Sequence, residues 1–286
     1  MAKNTIDIYP LNRDEEESKR LNQQHRMFLN LIKNNIIDPA ISKDSLRAVA
    51  DIGTGTGIWL EDVGKLFTKD SIPYLHGFDI SDDQFPESSE ILELSVHDVL
   101  NEFPPEHINR YDLVHVRFFV TCIREDQYTQ VVRNMASLII GSFAEPGGYL
   151  QWEEGDHSKS FRAIEKEAPR LQDAVNSFRG YFVSGGFSLY APDNIEQACN
   201  TAGLNLINKS WYSTTTASAE QVEEIRFQFL CIFQQILRIS CRDRGSFDTE
   251  SNAQVAVEQQ IDLMKASFDK GLVPDAIFCC ILYQKP

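Results

Sequence analysis

The stretch Val49-Ala-Asp-Ile-Gly-Thr-Gly-Thr-Gly57 decides the fold of this chain. A short apolar run over residues 48–52 leads into glycines at every second position, and the apolar spacing from Ile58 onward is that of a helix. Glycine lacks a Cβ, so the backbone of such a turn approaches a ligand closely, and free N–H groups at the helix start point at it. The strand, the glycine turn and the helix together predict a nucleotide-binding loop.

The spacing of the glycines narrows the choice of ligand class. A dinucleotide fingerprint has its third glycine three residues after the second, and Ile58 stands at that position. The Gly-Lys-Ser/Thr of a P-loop is absent as well. Asp51 precedes Gly53 by two residues, and this pattern resembles motif I of the class I S-adenosylmethionine (SAM)-dependent methyltransferases. An NAD-dependent oxidoreductase is therefore disfavoured. When the loop is considered alone, a glycine-rich turn that binds no ligand is the alternative interpretation.

Two more acids follow the next two predicted strands. Asp79 lies at the end of the strand predicted over residues 74–80, about 20 residues beyond the glycines, where an acid accepts hydrogen bonds from ribose hydroxyls. Asp98 follows the strand over residues 91–96, where the resemblance implies an acid that holds the adenine amino group. Either acid alone would be an ordinary turn residue. With Asp51, one acid follows each of three strands, and together they predict SAM as the cofactor.

The remaining pattern alternates helices with strands. Residues 111–116 and 149–152 read as strands around a helix over 126–143, and such crossovers predict an α/β, Rossmann-like doubly wound sheet. In the resembled fold the sheet has seven strands, and the last is antiparallel beside the fifth. We expect a helical N-terminal cap in 1–45, a SAM-binding core in 46–157, and helical lid insertions with the C-terminal strands in 158–286.

Composition limits the classes of partner. The 286 residues are 42% hydrophobic and carry a net charge of −15, which supports a sizeable core and disfavours nucleic acid. Neither a signal peptide nor an 18-residue apolar run is apparent, which predicts a cytoplasmic protein without a membrane partner. The six cysteines form no Cys-x-x-Cys pair, and we expect reduced thiols and no metal. The sequence is compatible with a homodimer.

Further stretches point to a narrower group. They are residues 9–13 with Glu17, and residues 20–21, 24–25, 51–59, 77–81, 84–86, 112–117 and 147–154. These stretches resemble the fungal small-molecule methyltransferases of secondary metabolism, relatives of the LaeA-like proteins, whereas the second half matches only loosely. The resemblance implies a SAM-dependent methyltransferase that acts on a small, largely apolar metabolite by O-, N- or C-transfer.

The loop and the resemblance together predict the residues around SAM. Gln24 and His25 are expected over the cofactor as part of the cap, and Arg117 and Phe118 near the methyl group. A structural ion pair for Arg117 and a core position for His25 are alternatives. The predicted cofactor-binding residues are Gln24, His25, Asp51, Gly53, Thr54, Gly55, Gly57, Trp59, Asp79, Ile80, Gln84, Asp98, Val99, Arg117 and Phe118.

No catalytic constellation stands out, because a sulfonium methyl is already activated and the protein mainly aligns the reactants. The candidates are Glu153, Glu154 and His157 after the fifth strand, together with Arg117. Glu153 is preferred as the residue that contacts the acceptor and orients it or takes its proton. A solvated acidic loop is the alternative for these residues. SAM binding without methyl transfer, in a pericyclase-type cyclase or a regulator of secondary metabolism, is the alternative function.

Overall fold

The computed structural model describes residues 9–141, 146–243 and 250–286. The strands in these ranges are β1 Ala48–Ile52, β2 Tyr74–Asp79, β3 Leu92–Val96, β4 Leu113–Arg117, β5 Tyr149–Gly155, β6 Asn205–Ser213 and β7 Ile277–Gln284. The α-helices are α1 Glu15–Leu31, α2 Ile58–Gly64, α3 Tyr128–Leu138, α4 Arg162–Glu167, α5 Gln172–Gly185, α6 Ala191–Thr201, α7 Ala219–Asp243 and α8 Glu250–Phe268.

The strands form one seven-stranded sheet in the order β3-β2-β1-β4-β5-β7-β6. The first five are parallel, and β7 runs antiparallel between β5 and β6. The predicted doubly wound sheet, with its antiparallel last strand beside the fifth, is confirmed. The chain moves outward from β1 to β3 and then returns to β4, so the strand order reverses between β1 and β4. In open α/β sheets, ligands bind beyond the carboxyl ends of the strands at such a point.

The glycine loop follows β1 at that switch point. Every residue of β1 is buried, because the strand is central and both of its faces are covered. Gly53, Gly55 and Gly57 have φ angles of 70°, 52° and 73°, a region that favours glycine. The backbone N–H groups of Gly53 and Thr54 both donate to the carbonyl oxygen of Phe78 on β2, at 2.8 and 3.0 Å. The turn is therefore fixed to its neighbouring strand before any ligand binds.

One predicted helix is shorter than its apolar pattern indicated. The pattern predicts a helix over 126–143, but α3 ends at Leu138, and Ile139 is extended and forms a parallel bridge with Tyr111. The backbone N–H groups of Arg110 and Tyr111 both donate to the carbonyl oxygen of Leu138, which fixes this end of the helix. Buried extended residues are as apolar as buried helical residues, so the apolar pattern does not show where the helix ends. Residues 142 and 143 of the predicted helix lie outside the described residues.

Helices cover the carboxyl edge of the sheet. In the segment expected to form the cap, α1 packs against α2 and α7. In the segment expected to form the lid, Pro169 separates α4 from α5, and α7 packs against both α5 and α8. That segment also supplies β6 and β7 to the sheet. None of the helices in the described ranges combines the length and apolar character needed to cross a bilayer.

At the opposite edge of the sheet, Gly148 permits the close approach of β5 to the chain entering β4. A Cβ at Gly148 would lie 2.6 Å from the carbonyl oxygen of Asp112 and 2.9 Å from that of Tyr111, both backbone atoms that cannot rotate away. We expect Gly148→Ala to lower the free energy of unfolding by about 1–3 kcal/mol, the usual cost of overpacking. Equilibrium denaturation in urea measures this change.

Gly141→Ala is the matched control for this substitution. The nearest atoms to a Cβ there belong to the side chain of Lys285, at 3.2 Å or more, and a long side chain shifts by a few tenths of an ångström more easily than a backbone carbonyl does. The control should stay within about 0.5 kcal/mol of the wild type, as most surface substitutions do. Equal losses in the two variants would contradict the role assigned to Gly148.

Candidate functional site

A cavity of about 610 Å³ lies beyond the carboxyl ends of the central strands. It reaches from the glycine loop to a chamber lined by α5 and α7, and its volume suits a small-molecule site, commonly about 300–1,000 Å³. His25, Gly57 and Glu153 do not line it. The predicted residues that do are Gln24, Asp51, Gly53, Thr54, Gly55, Trp59, Asp79, Ile80, Gln84, Asp98, Val99, Arg117, Phe118, Glu154 and His157.

Asp79 stands at the end of β2 beside the glycine loop. One carboxylate oxygen accepts the backbone N–H of Gly55 at 2.8 Å, and the other accepts that of Ser81 at 3.3 Å. Burial raises the pKa of Asp79 above its usual value. The two oxygens of Asp98 accept the backbone N–H of Leu100 and the side-chain amide of Asn101 in its own turn, both at 3.0 Å. A carboxylate has about four lone-pair sites, so each of these acids is able to accept a further hydrogen bond from a ligand.

Below the glycine loop, a buried histidine joins two of the predicted site residues. His115 lies on β4, with Nδ1 2.7 Å from Asp51 and Nε2 3.3 Å from Glu153. Trp59 stacks on the imidazole at a centroid distance of 3.7 Å. Burial alone would lower the pKa of His115, but hydrogen bonds to two carboxylates outweigh burial and raise it. Sequence reasoning missed His115, although a histidine inside an apolar strand beside the predicted Arg117 was the available signal.

Arg117 connects this cluster to the cap. Its Nη2 donates to Nδ1 of His25 at 2.7 Å, and Nε2 of His25 lies 2.8 Å from Asp62 on α2. Arginine only donates hydrogen bonds, so His25 must accept through Nδ1 and carry its single proton on Nε2. Burial and the charge of Arg117 lower the pKa of His25 to about 4, in keeping with a neutral ring. Arg117 also lines the cavity, and its Nη1 lies 3.8 Å from Glu153.

Glu153 does not lie at the cavity, where the sequence-based prediction placed it in contact with the acceptor. It is 1% exposed, it does not line the cavity, and its oxygens face His115 and the side-chain amide of Gln151. Burial alone would raise the pKa of Glu153, but His115 and Arg117 lower it. Side chains alternate along a strand, so Glu153 and its neighbour Glu154 lie on opposite faces of β5. This geometry supports an ion-pair role for Glu153 and gives no support to the predicted contact with an acceptor.

Glu154 faces the cavity on the other side of β5. Its carboxylate accepts the backbone N–H of Phe119 at 2.8 Å, that of Gly155 at 3.0 Å and the indole N–H of Trp152 at 3.3 Å. These donors favour the charged form, but burial outweighs them and raises the pKa of Glu154 to about 7. A carboxyl group with such a pKa exchanges a proton readily near neutral pH.

His157 lies farther along the cavity, among aromatic rings. Its imidazole is 4.6 Å from the ring of Phe182 and 5.2 Å from that of Phe178. Burial lowers the pKa of His157 to about 4, so the ring is neutral at pH 7. Neither ring nitrogen has a hydrogen-bond partner among the described residues, and the side chain lines the cavity. His157 is thus able to accept a hydrogen bond from a bound molecule, or to donate one.

The chamber around His157 is strongly apolar. Phe178 lies 4.9 Å from each of the rings of Phe161, Phe182 and Phe233, and all four line the cavity. At the rim, Arg20 of α1 donates to Gln228 of α7 at 3.1 Å, and the amide of Gln228 donates back to the carbonyl oxygen of Arg20. Helices α1 and α7 therefore meet at the rim of the cavity.

Sequence comparison relates the chain to fungal enzymes. Methyltransferase grgD of a Penicillium species is 34% identical over 281 residues, which cover 95% of this chain and 92% of the relative. N-methyltransferase gliN of Aspergillus fumigatus is 31% identical over 61% of each chain. The secondary metabolism regulator LAE1 of Hypocrea atroviridis is 23% identical over 58% of this chain and 48% of the relative. No protein-family model matches the chain.

Solved structures share the fold. Coclaurine N-methyltransferase, bound to N-methylheliamine and S-adenosylhomocysteine (SAH), superposes with a TM-score of 0.52 at 12% identity, over 99% of this chain and 75% of that one. The mycolic acid cyclopropane synthase CmaA1 superposes with a TM-score of 0.51 at 9% identity, over 92% and 84%. Together with the nearly full-length similarity to grgD, these observations show that the chain belongs to the class I SAM-dependent methyltransferases of fungal secondary metabolism.

Proposed function

We propose that this methyltransferase holds SAM against the glycine loop and transfers its methyl group to a nitrogen atom of a small, largely apolar acceptor in the phenylalanine-lined chamber. The observation that carries the proposal is the continuity of the cavity, which reaches from Gly53 and Asp79 to Phe178 and Phe233. A donor at one end and an acceptor at the other would meet near Glu154, since Glu154 binds the backbone of Phe119, which packs on Gly53.

The loop end of the cavity fits a nucleoside. The Cβ position of Gly55 has one neighbour within 4 Å, Leu21 at 3.5 Å, so there is room for a ligand against the backbone. Asp79 has the capacity to accept the ribose hydroxyls, and Asp98 the adenine amino group. Buried polar atoms without a hydrogen-bond partner in the described ranges include Thr54 Oγ1 and His97 Nε2. Such atoms usually pair with a ligand or with water.

SAM supplies an activated methyl group on a sulfonium when it is bound. The chain's own task is to exclude water, to orient the acceptor and to remove a proton. The phenylalanine side chains exclude water from the chamber, and His157 orients the acceptor through a hydrogen bond. Glu154 takes the proton that the acceptor nitrogen releases, because its pKa of about 7 suits a general base at neutral pH.

The choice of nitrogen rests on the relatives and on the chamber. The relative gliN is named an N-methyltransferase. Methylation of an amine nitrogen places positive charge on it until the proton leaves, and the faces of phenylalanine rings stabilise such a charge. SAM binding without methyl transfer is not better supported, because grgD, which matches nearly the full chain, is named a methyltransferase, and the regulator matches only part of the chain. Cytoplasmic location and oligomeric state stay predictions from the sequence.

Asp79→Ala tests the ribose contact. The substitution leaves two hydroxyls and the N–H of Gly55 without their acceptor, and we expect SAM and SAH to bind about 2–3 kcal/mol more weakly. Isothermal titration calorimetry measures the change. Asp82→Ala, an exposed acid in the next turn, is the control and should bind both ligands like the wild type. Unchanged affinity in a folded Asp79→Ala protein would show that the ribose is held elsewhere.

Glu154→Gln tests the proton acceptor. An assay of label transfer from [methyl-³H]SAM to a panel of small aromatic amines would provide an acceptor, and single-turnover rates would then be measured from pH 5.5 to 9. The wild-type rate should rise through pH 7, since the base works only as the carboxylate. The variant should lose this rise and react about 10²–10⁴-fold more slowly, while its SAH affinity is unchanged.

The stability of the same variant checks the pKa without any acceptor. The folded pKa of Glu154, about 7, lies above the usual glutamate pKa of 4.5, so its contribution to stability is present at low pH and is lost as the pH rises toward 7. Between pH 5 and 8 the wild type should therefore lose up to about 3 kcal/mol relative to Glu154→Gln. A constant difference between the two proteins across this range would argue against Glu154 as the base.

A further inference from the structure

The guanidinium of Arg117 has unused hydrogen-bonding capacity at the floor of the cavity. An arginine carries five N–H donors. The hydrogen bond that it makes to a described residue goes to His25, while Nη1 lies 3.8 Å from Glu153 and has no hydrogen-bond partner in the described ranges. The side chain is 12% exposed and lines the cavity. Unused donors on a buried guanidinium are costly unless a ligand or water takes them.

A carboxylate lies on the same floor. Asp51 is 3% exposed and also lines the cavity, and one of its oxygens accepts a hydrogen bond from His115. A guanidinium and a carboxylate that line one end of a cavity are complementary to the two charges of an α-amino acid. Arginine binds a carboxylate through two parallel N–H bonds, and aspartate accepts hydrogen bonds from an ammonium group. If SAM is bound as proposed above, its methionine end is the part of the donor that carries these charges.

The cap controls the position of Arg117. Arg117 belongs to β4, and His25, which holds its Nη2, belongs to α1, so the contact exists only when the cap is seated on the sheet. Asp62 of α2 holds the other ring nitrogen of His25, and Lys65 holds the second oxygen of Asp62 at 2.6 Å. The chain of contacts fixes the tautomer and the orientation of His25, as a partner on the second nitrogen of an imidazole generally does.

We propose that His25, oriented by Asp62, is a positioning residue that holds Arg117 ready to bind the carboxylate of the methionine part of the donor. This proposal rests on the proposed function, because it needs SAM in the cavity. In it, His25 touches no ligand, and its effect reaches the donor only through Arg117. The competing explanation is that the His25–Arg117 contact simply packs the cap onto the sheet.

Truncated ligands separate the two explanations. SAH carries the complete amino acid, decarboxylated SAH lacks only the carboxylate, and 5′-methylthioadenosine lacks the whole amino acid end. The full chain would be titrated calorimetrically with each ligand. We expect the wild type to bind SAH about tenfold or more tightly than decarboxylated SAH, the scale of a charge-assisted hydrogen bond.

His25→Leu removes the partner of Arg117 and should bring this ratio close to one. Its affinity for SAH should fall about tenfold, while its affinities for decarboxylated SAH and methylthioadenosine stay within about twofold of the wild type. His25→Asn should retain most of the ratio, because an asparagine oxygen is able to replace Nδ1 as acceptor. Lys69→Ala, at an exposed lysine beyond the end of α2 that takes no part in this chain of contacts, is the surface control and should leave the ratio unchanged.

Two results would overturn the positioning role. An equal loss for all three ligands in His25→Leu would show a structural role for the contact, and an unchanged ratio would show that Arg117 needs no help. If His25→Leu does not fold, Asp62→Ala, whose side chain is 26% exposed, provides the same test and should reduce the ratio at least threefold. A wild-type chain that binds none of the three ligands would instead overturn the proposed donor site itself.

Discussion

The site depends on the buried imidazole of His115 between the carboxylates of Asp51 and Glu153. The contacts join three neighbouring strands, β1, β4 and β5, at their carboxyl ends, and the residues involved are almost fully buried. Burying charges costs several kcal/mol per ion unless every charge is paired and hydrogen-bonded. His115 lies between the carboxylates of Asp51 and Glu153 and hydrogen-bonds to both, which meets this condition. Contacts among Arg117, His25 and Asp62 continue this polar network to α1 and α2. The pairing therefore fixes which polar groups are left for a ligand.

The same pairing assigns different chemistry to adjacent acids. Glu153 points to the face where His115 and Arg117 lie, and these cations lower its pKa. Glu154 points to the other face and accepts three N–H groups from neutral donors, so burial dominates and its pKa rises to about 7. A one-residue step along a strand separates an ion-pair partner from a carboxyl group that lines the cavity, because successive side chains lie on opposite faces of the sheet.

The cavity owes its two ends to different parts of the chain. The loop end is built from β1, β2 and the turns that follow them, which are held by backbone hydrogen bonds and need glycine at defined positions. The chamber end is built from helices inserted around β6, and its wall is a set of aromatic rings that packing alone holds in place. Backbone geometry constrains the loop end tightly, whereas many apolar side chains would satisfy the packing of the chamber end.

The sequence by itself determined the alternation of strands with helices and the glycine loop, because these depend on local patterns and on spacing along the chain. The resemblance carried by its motifs implied the family and the antiparallel last strand. It did not determine the end of α3, where buried extended residues continue the apolar run of a helix. Nor did it separate Glu153 from Glu154, find His115, or show that His25 contacts Arg117 instead of lining the cavity. Those outcomes depend on which strand face meets which neighbour, and residues far apart in sequence decide that only when the sheet, the cap and the lid pack together.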